Sequence, residues 1–330
     1  MSNQPENIKK GLFVCLLIKM LHLCLFLLLQ SSHSLQNDEW IKVPGGRSLL
    51  RECVHSIPSG SHLRFNTVTK ETLVLSSSGE EILRHPSCEK QHNDAMLRSS
   101  TISSATVGPS HPFEWKTWTE ASTGDDAIIS RNGKWTVPAA PVKPNVHTLF
   151  YMGIALMPAA GKGGVILQPF LQWGFGAPDG GTQGYSIASW FVGNHTGFFT
   201  EQIEVGSGMI INGNMNKNVN NTWFVNVTGR GESAYFTTGP GFQPSTTDID
   251  FTYGYNVIEA YNLPALASSC DAYPASSLTF MNMKMSTKKN GDWNPTGKWV
   301  TKKETQFPLA CGEEATSNSA SDTTLHWNGL

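Results

Sequence analysis

The chain is poor in charge. Only 15% of its 330 residues are Asp, Glu, Lys or Arg, and the signs nearly balance, with 24 basic against 26 acidic side chains. No basic stripe and no interleaving of aromatic and basic residues occurs, which argues against a nucleic-acid partner held by phosphate neutralisation. No cysteines stand at metal-finger spacing, and there is no H-E-x-x-H, no G-x-S-x-G and no phosphate-binding glycine loop. The usual residues of zinc-protease, serine-hydrolase and nucleotide chemistry are therefore missing. Helical periodicity is nearly absent, and no internal repeat has a fixed period. The expectation is a protein without metal or cofactor, acting on a polypeptide or carbohydrate.

What is present begins with a targeting signal. Lys9 and Lys10 precede an apolar stretch from Gly11 to Leu29, and small and polar residues follow up to Ser34. This is the layout of a secretory signal over residues 1–34, cleaved before Leu35. Lys19 and His22 interrupt the apolar stretch and weaken the alternative of an uncleaved membrane anchor. The mature chain keeps 21 basic and 25 acidic residues, and no stable membrane association is expected of it. A secreted monomer is the reading, with a lysosomal or vacuolar location as the variant. Cys15 and Cys24 leave with the signal, and the remaining even set is Cys53, Cys88, Cys270 and Cys311. Of three possible pairings, Cys53 with Cys88 and Cys270 with Cys311 is expected, because each pair brackets one segment and closes a short loop. Asn194, Asn220 and Asn226 each open an N-x-S/T acceptor, in agreement with secretion.

Turn signals at Pro58-Ser59-Gly60 and Ser78-Gly79 make residues 35–98 read as a small β-hairpin unit, stapled by Cys53 and Cys88. It is either a structural cap or a removable pro-segment over the active cleft. Residues 99–112 are rich in Ser and Thr, carry Pro109 and Pro112, and read as a linker. From Phe113, short β-rich runs such as TLFYMGIALM, GGVILQPFLQWG, YSIASWFVG, TWFVNVTG and YGYNVIEAYNL alternate with Gly, Asn, Pro and Asp clusters. That spacing predicts an all-β fold over residues 113–312, a two-sheet antiparallel β-sandwich or jelly roll. Residues 313–330 are polar and are expected to fray.

Two polar side chains stand in runs that otherwise read as buried strands, Gln168 in ILQPFLQWG and Glu259 in YNVIEAYNL. Strand alternation puts Ile166, Gln168, Phe170 and Gln172 on one face, and Tyr255, Val257, Glu259 and Tyr261 on one face of the later strand. A carboxylate among aromatic groups is costly to ionise, so Glu259 is expected to titrate high and to serve as a base in acid. Glu201 and Glu204 face opposite sides of a strand-like run and read as surface. His55, His62 and His85 lie in the N-terminal unit and carry no metal expectation. Trp173, Trp190 and Trp223 are either core or a ligand platform.

In order along the chain, GKWTVPAAP, LFYMGI, GGVILQ, YSIASW, IEVGSGMIINGNM, WFVNVTGRGESAYFT, NVIEAYN and LTFMNMKM resemble the glutamic peptidases of the eqolisin family over residues 113–286. The resemblance implies a secreted, concanavalin A-like β-sandwich with a Gln/Glu dyad. Ile166-Leu167-Gln168 stands for its ILQ motif and Val257-Ile258-Glu259 for its I-I-E motif, so Gln168 and Glu259 become the catalytic pair. Tyr151, Gln172 and Trp190 become the cleft lining. The chain departs from the family where Gln172 replaces an Asp and where SIASW carries no carboxylate. The implied activity is acid endopeptidase. The alternatives are a non-catalytic sandwich that binds carbohydrate or peptide and, last, a glycoside hydrolase using Glu259 with a second acid. If the dyad acts, Gln168 and Glu259 should meet over one shared water.

Overall fold

The structure is a computed structural model that describes residues 40–102, 115–143, 148–158, 164–174, 184–218, 221–239, 250–261, 267–274, 277–289, 291–293, 299–303 and 311–327. Two large sheets form a sandwich, and a separate two-stranded hairpin, β1 (Trp40–Val43) and β2 (Arg47–Leu50), stands beside them. The first sheet, termed here the cleft sheet, has the order β20 (Val300–Lys303), β7 (Trp115–Ser122), β17 (Phe251–Tyr261), β9 (Leu149–Pro158), β10 (Ile166–Trp173), β11 (Tyr185–Val192), β12 (Gly197–Thr200) and β3 (Val54–Ile57), with β13 (Ile203–Val205) also on β11. The back sheet runs β21 (Glu314–Ser317), β22 (Thr323–His326), β18 (Ser277–Thr287), β8 (Ile128–Thr136), β14 (Ile210–Lys217), β15 (Trp223–Gly229), β16 (Glu232–Thr238), β4 (Ser61–Asn66), β5 (Glu71–Leu75) and β6 (Glu81–His85), with β19 (Gly291–Trp293) on β18.

The expected sandwich is therefore present, with one refinement. Pairing is antiparallel except where β3 joins β12 and β4 joins β16, both in parallel. These two strands come from the N-terminal region, so residues 54–85 do not fold apart as a hairpin unit but extend one edge of each sheet. An apolar face with unpaired main-chain groups at a sheet edge is best satisfied by another strand, and β3 and β4 supply it to the two sheets in succession. Both expected disulfides form, Cys53–Cys88 and Cys270–Cys311. A helix, α1 (Glu89–Ile102), runs from the end of the expected N-terminal unit into the first residues of the expected linker. Residues 103–112 of that linker lie outside the described residues, as does Asn220.

Residues 313–327, within the segment expected to fray, are instead built into the back sheet. β21 and β22 close the far edge of the back sheet, burying Leu325 and Trp327, and the Trp327 indole donates to the Pro274 carbonyl at 2.6 Å. A polar composition hid two apolar anchors spaced two apart.

The burial patterns separate the two sheets. β14 and β15 alternate between buried and half-buried positions, as expected of a sheet with one wet face, whereas every residue of β10 and β11 is buried. One face of β9, β10, β11 and β17 meets the back sheet through Met152, Leu167, Leu171, Phe191 and Ile258. The opposite face carries Tyr151, Phe170, Trp190, Val257 and Tyr261, packed with Ile41, Val43 and Leu49 of the hairpin. The hairpin thus lies across the outer face of the cleft sheet. Trp173 and Trp223 belong to the sandwich interior, while Trp190 belongs to the covered face.

Candidate active site

β17, β9 and β10 are consecutive strands, and their register decides what can meet. Glu259 stands opposite Tyr151, and Tyr151 stands opposite Gln172. Neighbouring strands are roughly 4.8 Å apart, so Glu259 and Gln172 lie about 10 Å apart at the backbone, on one face, with only Tyr151 between them. Gln168 is on the same face but four residues further along β10, a displacement of roughly 13 Å, and pairs across to Trp190. The structure therefore brings Gln172 alongside Glu259, not Gln168. Alternation fixes which face a side chain takes, and it gives both glutamines the same face; the register of β9 on β10 chooses between them.

All three polar side chains are buried, Gln168 and Glu259 at 0% exposure and Gln172 at 1%. The Trp190 indole N–H donates to Gln172 Oε1 at 3.4 Å, and Gln172 Nε2 has no partner. An indole can only donate, so the atom facing it must be the amide oxygen. The Gln172 NH₂ is therefore left as a desolvated donor. Both amide atoms of Gln168 are also buried without a partner, an unfavourable state that costs about 1–3 kcal/mol for each such group. Trp190 stacks on Phe199 with centroids 4.6 Å apart and meets the Tyr151 ring edge to face at 5.7 Å. Tyr151 and Trp190 form an aromatic floor on which both glutamines stand.

Glu259 is occupied by the hairpin tip. The Gly45 N–H donates to its two oxygens at 3.0 and 2.8 Å, the Gly46 N–H reaches Oε2 at 3.3 Å, and the Tyr261 hydroxyl donates to Oε2 at 2.6 Å. Tyr261 also lies 2.9 Å from the Val43 carbonyl and accepts from the Gly46 N–H at 3.1 Å. Its single proton favours the carboxylate, where the bond is shorter and charge-assisted. These donors satisfy a charge that burial alone would make untenable.

The tip needs its glycines. Gly45 and Gly46 have φ of +89° and +71°, and a Cβ on Gly45 would stand 2.2 Å from Ile166 Cδ1. Only residues without side chains let the main chain descend onto the carboxylate. Arg47 follows at once and donates to the carbonyls of Gly164 and Gly193. Burial lowers its pKa to about 10, against the opposing pull of Glu259 and Tyr261, so it stays cationic near the carboxylate at neutral pH. The sequence reading gave no role to Gly45, Gly46 or Arg47; a Pro-Gly-Gly-Arg tetrapeptide between apolar runs marked a turn without saying what it reached.

Two further features lie away from this face. Arg131 on β8 is fully buried and donates through Nη2 to the Tyr255 carbonyl at 2.9 Å and Asn256 Oδ1 at 2.6 Å, tying β8 to β17 across the sandwich. His55 on β3 stacks on His85 on β6 with ring centroids 3.8 Å apart, bridging the N-terminal edges of the two sheets. Burial, and secondarily His85, lowers the His55 pKa to about 3. Among the described residues no group of three or more His, Cys, Asp or Glu side chains could hold a metal ion. Glu201 and Glu204 are exposed.

The fold and site define an all-β sandwich with a buried carboxylate and a desolvated amide on one sheet face. Solved structures align with part of this chain. Scytalido-glutamic peptidase with a transition-state analogue inhibitor aligns with a TM-score of 0.48 and 10% identity, over 64% of this chain and 98% of that one. SCP-B, a member of the eqolisin family of peptidases solved with the tripeptide Ala-Ile-His, aligns with a TM-score of 0.44 and 11% identity over the same shares. No protein-family model and no curated protein matches the sequence.

Proposed function

We propose that the protein is a secreted acid endopeptidase of the glutamic type, with Glu259 and Gln172 as its working pair. The observation that carries this reading is the row Glu259–Tyr151–Gln172, with the amide turned by Trp190 so that its NH₂ is unspent. In this mechanism Glu259 takes a proton from a water that attacks the scissile carbonyl. Gln172 Nε2 donates to the oxyanion that develops, and the protonated Glu259 passes its proton to the departing amine. No covalent intermediate is required. Gln168, orphaned at both amide atoms on the same face, has the donor and acceptor that an extended substrate main chain needs, and Tyr151 and Trp190 give that chain an aromatic floor. The two disulfides agree with an oxidising compartment, and no helix among the described residues is long and apolar enough to cross a membrane.

Protein digestion between about pH 2 and 6 tests the reading, the range being set by ordinary and raised carboxylate titration. With the hairpin displaced, Glu259→Gln should abolish digestion. Gln172→Ala should lower kcat by roughly 100- to 1000-fold, the cost of one oxyanion donor. Gln168→Ala should act mainly on KM. If Gln168→Ala silences the enzyme and Gln172→Ala does not, the assignment of the two amides is reversed. The second reading, a binding module without catalysis, is favoured by the occupation of Glu259 by main-chain donors in the intact chain; peptide or sugar binding that survives Glu259→Gln would support it.

A further inference from the structure

The hairpin that covers Glu259 differs from the strands β3 to β6 that follow it in how it is attached. β1 and β2 pair only with each other, whereas β3 joins the cleft sheet and β4 to β6 join the back sheet. No cysteine precedes Cys53 among the described residues, so the hairpin is held by packing and hydrogen bonds alone. From Cys53 onward the chain is stapled to Cys88 and woven into both sheets. The Gly45 and Gly46 main-chain donors to the carboxylate thus lie upstream of one covalent boundary.

At that boundary sits a short 3₁₀ turn, Arg51–Cys53, in which Arg51 and Glu52 are exposed and Cys53 is buried. Among the described residues before Cys53 the other basic side chains, Lys42 and Arg47, are half-buried. Cuts after Arg64, Lys70 or Arg84 would fall inside the loop closed by Cys53 and Cys88 and release nothing. A cut by the site on its own tip is disfavoured, because Gly45 and Gly46 turn N–H groups, not carbonyls, to Glu259.

We propose that the Arg51–Glu52 peptide bond is a processing site for a separate, arginine-directed endopeptidase. Hydrolysis consumes one water and yields a peptide ending in the Arg51 carboxylate and a body beginning at the Glu52 amine. The peptide carries away Gly45, Gly46 and Arg47 together and removes their main-chain donors from Glu259. The body keeps β3 to β6, so the segment expected to leave as one piece over residues 35–98 divides at Arg51 instead. The release rests on the structure alone; only the gain of activity rests on the proposed function.

The test is brief digestion of the purified, oxidised full chain with an arginine-specific protease, followed by amino-terminal sequencing, gel filtration at pH 4 to 5 and intact mass. The expected result is a body starting at Glu52, separated from its peptide, with acid digestion of a protein substrate raised at least tenfold. Arg51→Gln, a change on an exposed turn, should remain uncut there and stay covered. Release without any digestion would uphold the processing site and remove the peptidase reading. A folded chain that resists cleavage at Arg51, or a cut peptide that stays bound to the body, would overturn the proposal.

Discussion

Replacing Gly45 by valine should uncover the site without any protease. Gly45 sits at φ +89°, where a β-branched side chain is strained by about 1–3 kcal/mol. Its new Cβ would also stand 2.2 Å from Ile166 Cδ1, in a face where neighbours are packed on both sides. Overpacking of that kind costs about 1–3 kcal/mol. A combined loss near 3 kcal/mol raises the open fraction of the hairpin about 100-fold, since each 1.4 kcal/mol is tenfold. The cost falls on the hairpin alone, because β1 and β2 pair with no strand of either sheet. The full-length Gly45→Val chain should therefore keep the thermal midpoint of the sandwich within a few degrees and exchange its Gly46 amide much faster. It should digest protein in acid some tens of times faster than the parent. If exchange shows a loosened tip while digestion stays at the parental level, the cover is not what holds activity back, and the reasoning fails.

Two other outcomes follow from the same geometry. Trp190→Phe keeps the stack on Phe199 but removes the donor that fixes Gln172 Oε1; loss of about 1 kcal/mol of orientation should lower kcat roughly fivefold with KM little changed, and a loss confined to KM would refute the orienting role. The stacked His55 is neutral in the fold, its pKa lowered to about 3 by burial and the neighbouring His85. Its folded state therefore binds fewer protons than the unfolded chain between pH 6.5 and 3. Stability from this group is complete above pH 6.5 and declines as pH falls toward 3. The ring is partly exposed, so the decline amounts to about 3 kcal/mol at most, less than the full shift would give at 1.36 kcal/mol per unit. Thermal midpoints of the parent and of His55→Phe should accordingly diverge only in acid, with the variant the less sensitive; parallel pH curves would sink this account.

How much of this was legible in the sequence depends on which physical rule does the selecting. The sandwich was, because turn clusters and apolar runs at strand spacing depend on local chemistry alone, and so were the two disulfides. Within each strand, the shared face of Gln168 and Gln172 and that of Tyr255, Val257, Glu259 and Tyr261 were legible too, since period two is a property of the strand by itself. The pairing of Glu259 with Gln172 was not, because it depends on the register of β9 against β10 and β17 and on which strand lies between β10 and β17. Nor was the buried Arg131, whose acceptors on β17 come from more than 120 residues away.

The cover over Glu259 was hidden for a different reason. Carboxylates are usually matched by a cationic side chain, which a sequence displays, but here Gly45 and Gly46 act through main-chain N–H groups that every non-proline residue possesses. The only trace is a pair of adjacent glycines between apolar runs. Their value to the fold lies in what they lack, since any Cβ at Gly45 would meet Ile166 before the amide reached the carboxylate. The cover contributes main-chain bonds to Glu259 and Tyr261, two Arg47 bonds and apolar contacts, but no disulfide and no strand pairing to either sheet. A segment that supplies main-chain donors to a buried charge, yet is covalently continuous with the stapled body only through an exposed Arg51–Glu52 turn, has the properties of a reversible occupant of the face, not of its core.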